Sequence, residues 1–135
     1  MKICIILSNF YPNISKLLLD GAISKLKKNK ISNFKIIKVP GTFEIPVVVS
    51  NLINKYDAFV VLGCVIKGQT SHFHYLCSSV IKALTSLSIE FKKPIGNGIL
   101  TCNNKKQAIT RANPKIKDKG GDAVKAVISV FNVIK

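Results

Sequence analysis

The chain has 135 residues, 47% of them hydrophobic, and carries a formal charge of +15 from 21 Lys and Arg against 6 Asp and Glu. One ordinary domain, residues 1–135, fits that length, with a core that needs no disulfide or structural metal. The composition excludes a disordered chain, and no apolar run is long enough for a membrane span.

The charge suits a polyanion, an anionic surface or a small phosphorylated substrate. The plainer reading is a solvated lysine surface, because Lys25, Lys27, Lys28, Lys35, Lys38, Lys92, Lys93, Lys105 and Lys106 are scattered along the chain. Nucleic-acid binding would rest on charge alone, since no interleaving of aromatic and basic residues and no known motif accompanies it. The first apolar run, Ile3–Leu7, is too short for a signal-peptide core, so a cytoplasmic protein is expected. Cys4, Cys64, Cys77 and Cys102 contain no C-x-x-C pair and read as reduced, buried thiols, without a zinc site.

The pattern alternates strand and helix throughout. Lys2–Leu7 is a short β-branched strand. Helical spacing follows over 13–28, with lysines at the C-terminal end where they suit the helix dipole. Phe34–Val39 is a second strand, stopped by Pro40-Gly41. A helix is expected over 43–54, with Pro46 tolerated in its first turn. Asp57–Ile66 is nearly continuous in apolar residues, as in a central parallel strand. Phe73, Leu76, Cys77, Val80, Ile81, Leu84, Leu87 and Phe91 make an apolar helical stripe over 71–91. Pro94–Thr101 is a fourth strand. Helices are expected over 105–112 and 120–133. The last is apolar on most of its circumference, so a subunit interface is expected on it as well as the core.

This order predicts an α/β protein with one parallel sheet and helices on both faces. Ligands then bind beyond the carboxyl ends of the strands. That rule selects Ser8–Pro12, Pro40–Glu44, Gly63–His74 and Thr101–Asn104.

Gly63–His74 is the richest of these. Gly68 permits positive φ or close backbone approach, and Thr70 or Ser71 can cap the following helix. A helix start with hydroxyls beside it suits an anion. The only histidines, His72 and His74, stand here. The positive field of a helix start favours a neutral imidazole, which can take a proton and return it. A lone histidine in a first helical turn is more simply a polar surface residue. In Val39–Pro46, Thr42 is a natural cap, and Glu44 either completes the helix start or offers a carboxylate to a polyol. Phe10 is either core packing or a stacking surface for a flat heterocycle. Arg111 is the only arginine, and a planar fork suits phosphate.

Together these segments resemble the lumazine synthase family. The stretches that carry the resemblance are Asn9-Phe10, Val39–Pro46, Leu62–Phe73, Gly98–Thr101, Gln107–Ala112 and Lys119-Gly120, in that order over nearly the whole chain. The resemblance implies a three-layer α/β/α sandwich with a four-stranded parallel sheet, flavodoxin-like. It also implies a step of riboflavin biosynthesis: 5-amino-6-(D-ribitylamino)uracil condenses with 3,4-dihydroxy-2-butanone 4-phosphate to give 6,7-dimethyl-8-ribityllumazine, phosphate and water, with no metal or organic cofactor.

The family's roles carry over by position. Phe10 resembles the residue that stacks on the pyrimidine. Thr42, Phe43 and Glu44 resemble the segment holding the ribityl chain and ring. Cys64, Val65 and Ile66 resemble the strand end that reads the uracil edge. Gln69 and Thr70 resemble the phosphate loop, with Arg111 as its partner and Lys119 near the phosphate or ribityl region. His72 resembles the proton-transfer residue. Asn97 falls where many relatives place a phenylalanine that closes a neighbouring subunit's site. His74 stands where relatives usually carry an acidic residue, and Lys67 replaces a common arginine. Family members form pentamers with shared sites, and some build icosahedral shells. The sequence begins directly at strand one, without the further N-terminal strand of many relatives, so a pentamer or pair of pentamers is expected. A non-catalytic binder of lumazine or flavin is the alternative.

Overall fold

In the computed structural model, which describes residues 1–135, strands and helices alternate along the chain. The strands are β1 (Ile3–Ser8), β2 (Phe34–Val39), β3 (Ala58–Ile66) and β4 (Ile95–Cys102). The helices are α1 (Pro12–Lys28), α2 (Ile45–Leu52), α3 (His72–Phe91), α4 (Lys105–Ala112) and α5 (Lys119–Ile134). One parallel sheet runs in the order β2-β1-β3-β4.

Side-chain alternation along the strands divides the core in two. Ile3, Ile5, Leu7, Ala58, Val60 and Leu62 pack toward α1, α4 and α5. Cys4, Ile6, Phe59 and Val61 pack toward α2 and α3. This is a three-layer α/β/α sandwich. Eight of the nine β3 residues are buried, as a central strand covered on both faces requires. The order reverses between β1 and β3, and the chain ends after those strands open onto one crevice.

The local chemistry of several starts differs from expectation. The helix expected over 43–54 is a 3₁₀ turn at Thr42–Glu44 followed by α2. Thr42 makes no capping hydrogen bond and is buried instead. The Ser71 side chain does not cap α3, whereas the Thr70 hydroxyl accepts from the His72 amide at 3.3 Å. Gly68 does not use positive φ. Asp118 caps α5 from the left-handed region, accepting from the Gly121 amide at 3.2 Å.

Helix α5 lies unusually close to its neighbours, because glycines remove the side chains that would separate them. A Cβ on Gly120 would meet the Leu18 backbone, with its carbonyl carbon at 2.9 Å and its Cα at 3.1 Å. A Cβ on Gly96 would strike the Ala123 carbonyl. The far end of α5 remains open, with Val133 83% exposed. Helix α3 is also thinly covered: of its apolar stripe only Val80 and Leu84 are buried.

Stability comes from this packing rather than from ion pairs. The two salt bridges, Lys16–Asp20 at 3.2 Å and Lys119–Asp122 at 3.7 Å, lie on the surface, where a pair contributes about 1 kcal/mol or less. Lys93 is a more consequential cation. Its Nζ donates to the carbonyls of Ile53 and Tyr56 at 2.5 and 2.9 Å, tying the end of α2 to the start of β4. Lys93→Met is expected to lose about 2 kcal/mol of stability. A urea midpoint unchanged by the substitution would show that water replaces the ammonium without loss.

Burial pushes two thiols up from their ordinary 9.0, Cys4 to about 11 and Cys64 to about 12. Desolvation disfavours their charged forms, so the folded chain binds these protons more tightly than the unfolded chain. Their contribution to stability is complete below pH 9 and is lost as the pH rises toward 11–12. Denaturation midpoints are expected to fall over that interval, less steeply in Cys4→Ala and Cys64→Ala. Identical slopes in all three proteins would contradict it.

Candidate active site

A cavity of about 580 Å³ opens at the carboxyl ends of β1 and β3. Phe10 and Tyr11 wall one side, following β1. Pro40, Gly41, Thr42, Phe43 and Glu44 form the turn after β2. Cys64, Val65 and Ile66 end β3, and His72 and Leu76 come from the first turns of α3. Four separate stretches of chain therefore converge, because parallel strands place all their carboxyl ends on one rim.

The cavity is apolar with a few polar groups, the usual make-up of a small-molecule site. Phe10 and Phe43 are 67% and 69% exposed. Aromatic rings this exposed are not core packing. Phe10 also meets Tyr11 edge to face, with ring centroids 4.9 Å apart. His72 is exposed at the first position of α3, and Glu44 is half-buried in the cavity wall. Burial raises the Tyr11 hydroxyl above its ordinary 10.0, and the nearby Cys64 thiol adds to the effect. Tyr11 thus stays a neutral donor in the wall.

Gly63 explains how the turn after β2 sits so close to the sheet. A Cβ there would lie 3.0 Å from Ser8 Cβ and 3.1 Å from Thr42 Oγ1. Ser8 Oγ, buried next to them, has no hydrogen-bond partner within the chain. Thr42 is therefore positioned by its burial against β1 and β3.

Of the residues selected from sequence, the cavity brings together Phe10, Thr42, Phe43, Glu44, Cys64, Val65, Ile66 and His72. Gln69 and Thr70 are exposed in the loop that leads to His72. Three residues lie elsewhere on the chain. Asn97 is exposed on β4, where its Oδ1 accepts from the Ile99 amide at 3.0 Å. It lines a groove with Ile81, Leu84, Thr85, Ser88, Ile89 and Ile95. Arg111 lines a separate polar hollow of about 300 Å³ with Asn104, Lys106, Gln107, Thr110 and Lys117. Lys119 pairs with Asp122 on the surface. Within one chain Arg111 does not meet Gln69 and Thr70. Tyr11, Pro40, Gly41 and Leu76 line the cavity without having been selected as site residues. For Leu76 the signal was present: it stands one helical turn beyond His72, on the same face.

The His74 ring stands edge to face with Phe73, centroids 5.2 Å apart, at the exposed start of α3. Its place on that helix is two residues from His72, a spacing that points the side chains apart.

A family model described as 6,7-dimethyl-8-ribityllumazine synthase matches residues 1–135. A protein of Cutibacterium acnes (strain DSM 16379 / KPA171202) named 6,7-dimethyl-8-ribityllumazine synthase is 35% identical to this chain over 136 residues, spanning 99% of this chain and 82% of that protein. With the parallel sheet, its crevice and the convergence of the selected loops, the chain belongs to the 6,7-dimethyl-8-ribityllumazine synthase family, whose enzymes serve riboflavin biosynthesis.

Proposed function

We propose that the cavity between β1 and β3 is where this enzyme condenses 5-amino-6-(D-ribitylamino)uracil with 3,4-dihydroxy-2-butanone 4-phosphate to form 6,7-dimethyl-8-ribityllumazine. The observation that carries this reading is the convergence on one crevice of His72, the Phe10 ring, the Thr42–Glu44 turn and the Cys64–Ile66 strand end.

Phe10 stacks on the pyrimidine. The open backbone at the end of β3 reads the uracil edge, as a strand terminus with unpaired amides and carbonyls can. Glu44 accepts hydrogen bonds from the ribityl hydroxyls, with Thr42 and Phe43 completing that wall. Gln69, Thr70 and the first amides of α3 hold the phosphate. His72 stands at the boundary between the two substrates. It moves protons as the amine adds to the ketone, water leaves and phosphate is eliminated. Much of the acceleration then comes from holding two reactants in order. No metal or organic cofactor takes part.

Asn97, Arg111 and Lys119 enter this scheme from a neighbouring subunit. The reading is supported by their location away from the cavity and by the open faces of α3 and α5. A homopentamer, in which each site is shared between adjacent single-domain subunits, fits those observations. The protein acts in the cytoplasm on small molecules, and the lysine surface draws the phosphorylated one toward the crevice.

Turnover with both substrates, followed by lumazine fluorescence, tests the assignment. Phe10→Ala is expected to raise KM for the pyrimidine by about two- to tenfold, with kcat little changed, because the lost stacking is made in ground and transition states alike. An unaltered KM would remove Phe10 from the ring site.

A further inference from the structure

Two thiols lie together under the cavity. In the parallel ladder of β3 and β4, Cys64 pairs with Leu100 and Ile66 with Cys102. Alternation places Cys64 and Cys102 on the same face of the sheet, with Leu62 and Leu100 around them. They are diagonal neighbours across the β3–β4 ladder. Cys64 is 4% exposed and lines the cavity, while Cys102 is 1% exposed behind it. Arg111 stands beside Cys102, with Nη1 3.9 Å from the sulfur.

The proposed mechanism makes no use of these sulfurs as sulfurs. Burial keeps the Cys64 proton in place, so a free thiolate nucleophile is not the function of the pair. No cluster of three or more ligating side chains surrounds it, which excludes a tetrahedral zinc site built from this chain. Two buried thiols side by side on one face of the sheet match ions satisfied by two soft ligands.

We propose that Cys64 and Cys102 form a two-sulfur site for a soft monovalent cation, copper(I) or silver(I), reached through the cavity. On binding, two S–H bonds break, two sulfur–metal bonds form and two protons leave to solvent; no electron is transferred. The resulting centre carries one negative charge, and the Arg111 guanidinium beside Cys102 balances it. A cation held on Cys64 also reshapes the cavity wall, so turnover stops. That last consequence rests on the cavity being the active site, whereas the binding site does not.

The test uses the reduced full chain, titrated without oxygen with silver(I) nitrate and then with copper(I) as its acetonitrile complex. One equivalent is expected to bind tightly, with a thiolate-to-metal absorption band, two protons released and two thiols protected from a thiol reagent. Cys102→Ser and Cys102→Ala are expected to weaken binding by roughly a hundredfold or more, beyond the 10–100-fold typical of an outer partner. Arg111→Gln, which leaves both thiols in place, is expected to weaken it by about 10–100-fold. Cys77→Ser should bind as the parent does. Affinity unchanged in both Cys102 variants and in Arg111→Gln, or silver found on Cys77 alone, would overturn the proposal. So would a Cys64–Cys102 disulfide formed under mild oxidation in a protein that binds neither ion. Tight binding to the pair with turnover intact would instead leave the two-sulfur site standing and overturn only its effect on the reaction.

Discussion

His72→Ala is expected to lower kcat for lumazine formation by roughly 10²–10⁴-fold, the range over which a positioned general acid–base contributes. The fold should survive, because His72 is exposed at the first position of α3 and belongs to neither core cluster. Thermal midpoint and KM are then nearly unchanged while kcat falls, the pattern of an interaction made only in the transition state. Measuring kcat and KM separately, beside the melting temperature, checks it. A rate that stays at the parent level would remove His72 from the chemistry. A raised KM with kcat preserved would reassign it to binding.

Gly120→Val is expected to be the most damaging substitution for stability, at about 3 kcal/mol or more. Gly120 is buried at the start of α5, directly over Leu18 of α1. The atoms that a Cβ would meet there are backbone, which cannot rotate away as a side chain would. Relief requires α5 to move off α1, and α5 also rests on β4 at Gly96. The loss therefore spreads to Val124 and Val127, which are buried between these elements. Urea denaturation of Gly120→Ala and Gly120→Val checks the graded effect. Equal midpoints for parent and valine variant would show that the helices separate without loss.

The element order was legible because each core surface leaves its own period. The nearly continuous apolar run of β3 has the composition of a strand covered on both sides, and the stripe of α3 repeats at helical spacing. Helix starts were less legible. Thr42 has the residue type of a cap, yet the tight turn after Pro40-Gly41 draws it inward against Ser8 and Gly63. The starts that use side-chain caps have clear local signals. Asn104 accepts from the Gln107 amide at 2.9 Å while Gln107 Oε1 accepts from the Asn103 amide at 2.8 Å, a variant of the capping box within the five residues 103–107.

The sequence by itself determined the α/β class, the alternation of elements and the four loops on the carboxyl rim, because period and turn chemistry are local properties. It also identified most of the residues that line the cavity, since strand ends in a parallel sheet have one place to go. Only the tertiary structure decided which of the selected residues meet. It put His72 and Glu44 on one cavity, and Asn97, Arg111 and Lys119 on other surfaces of the same chain. It set Cys64 beside Cys102, 38 positions apart in sequence, through a strand register that depends on how β3 and β4 pack. Such contacts come from crossovers and from the close approach of α5, and neither leaves a periodic trace along the chain.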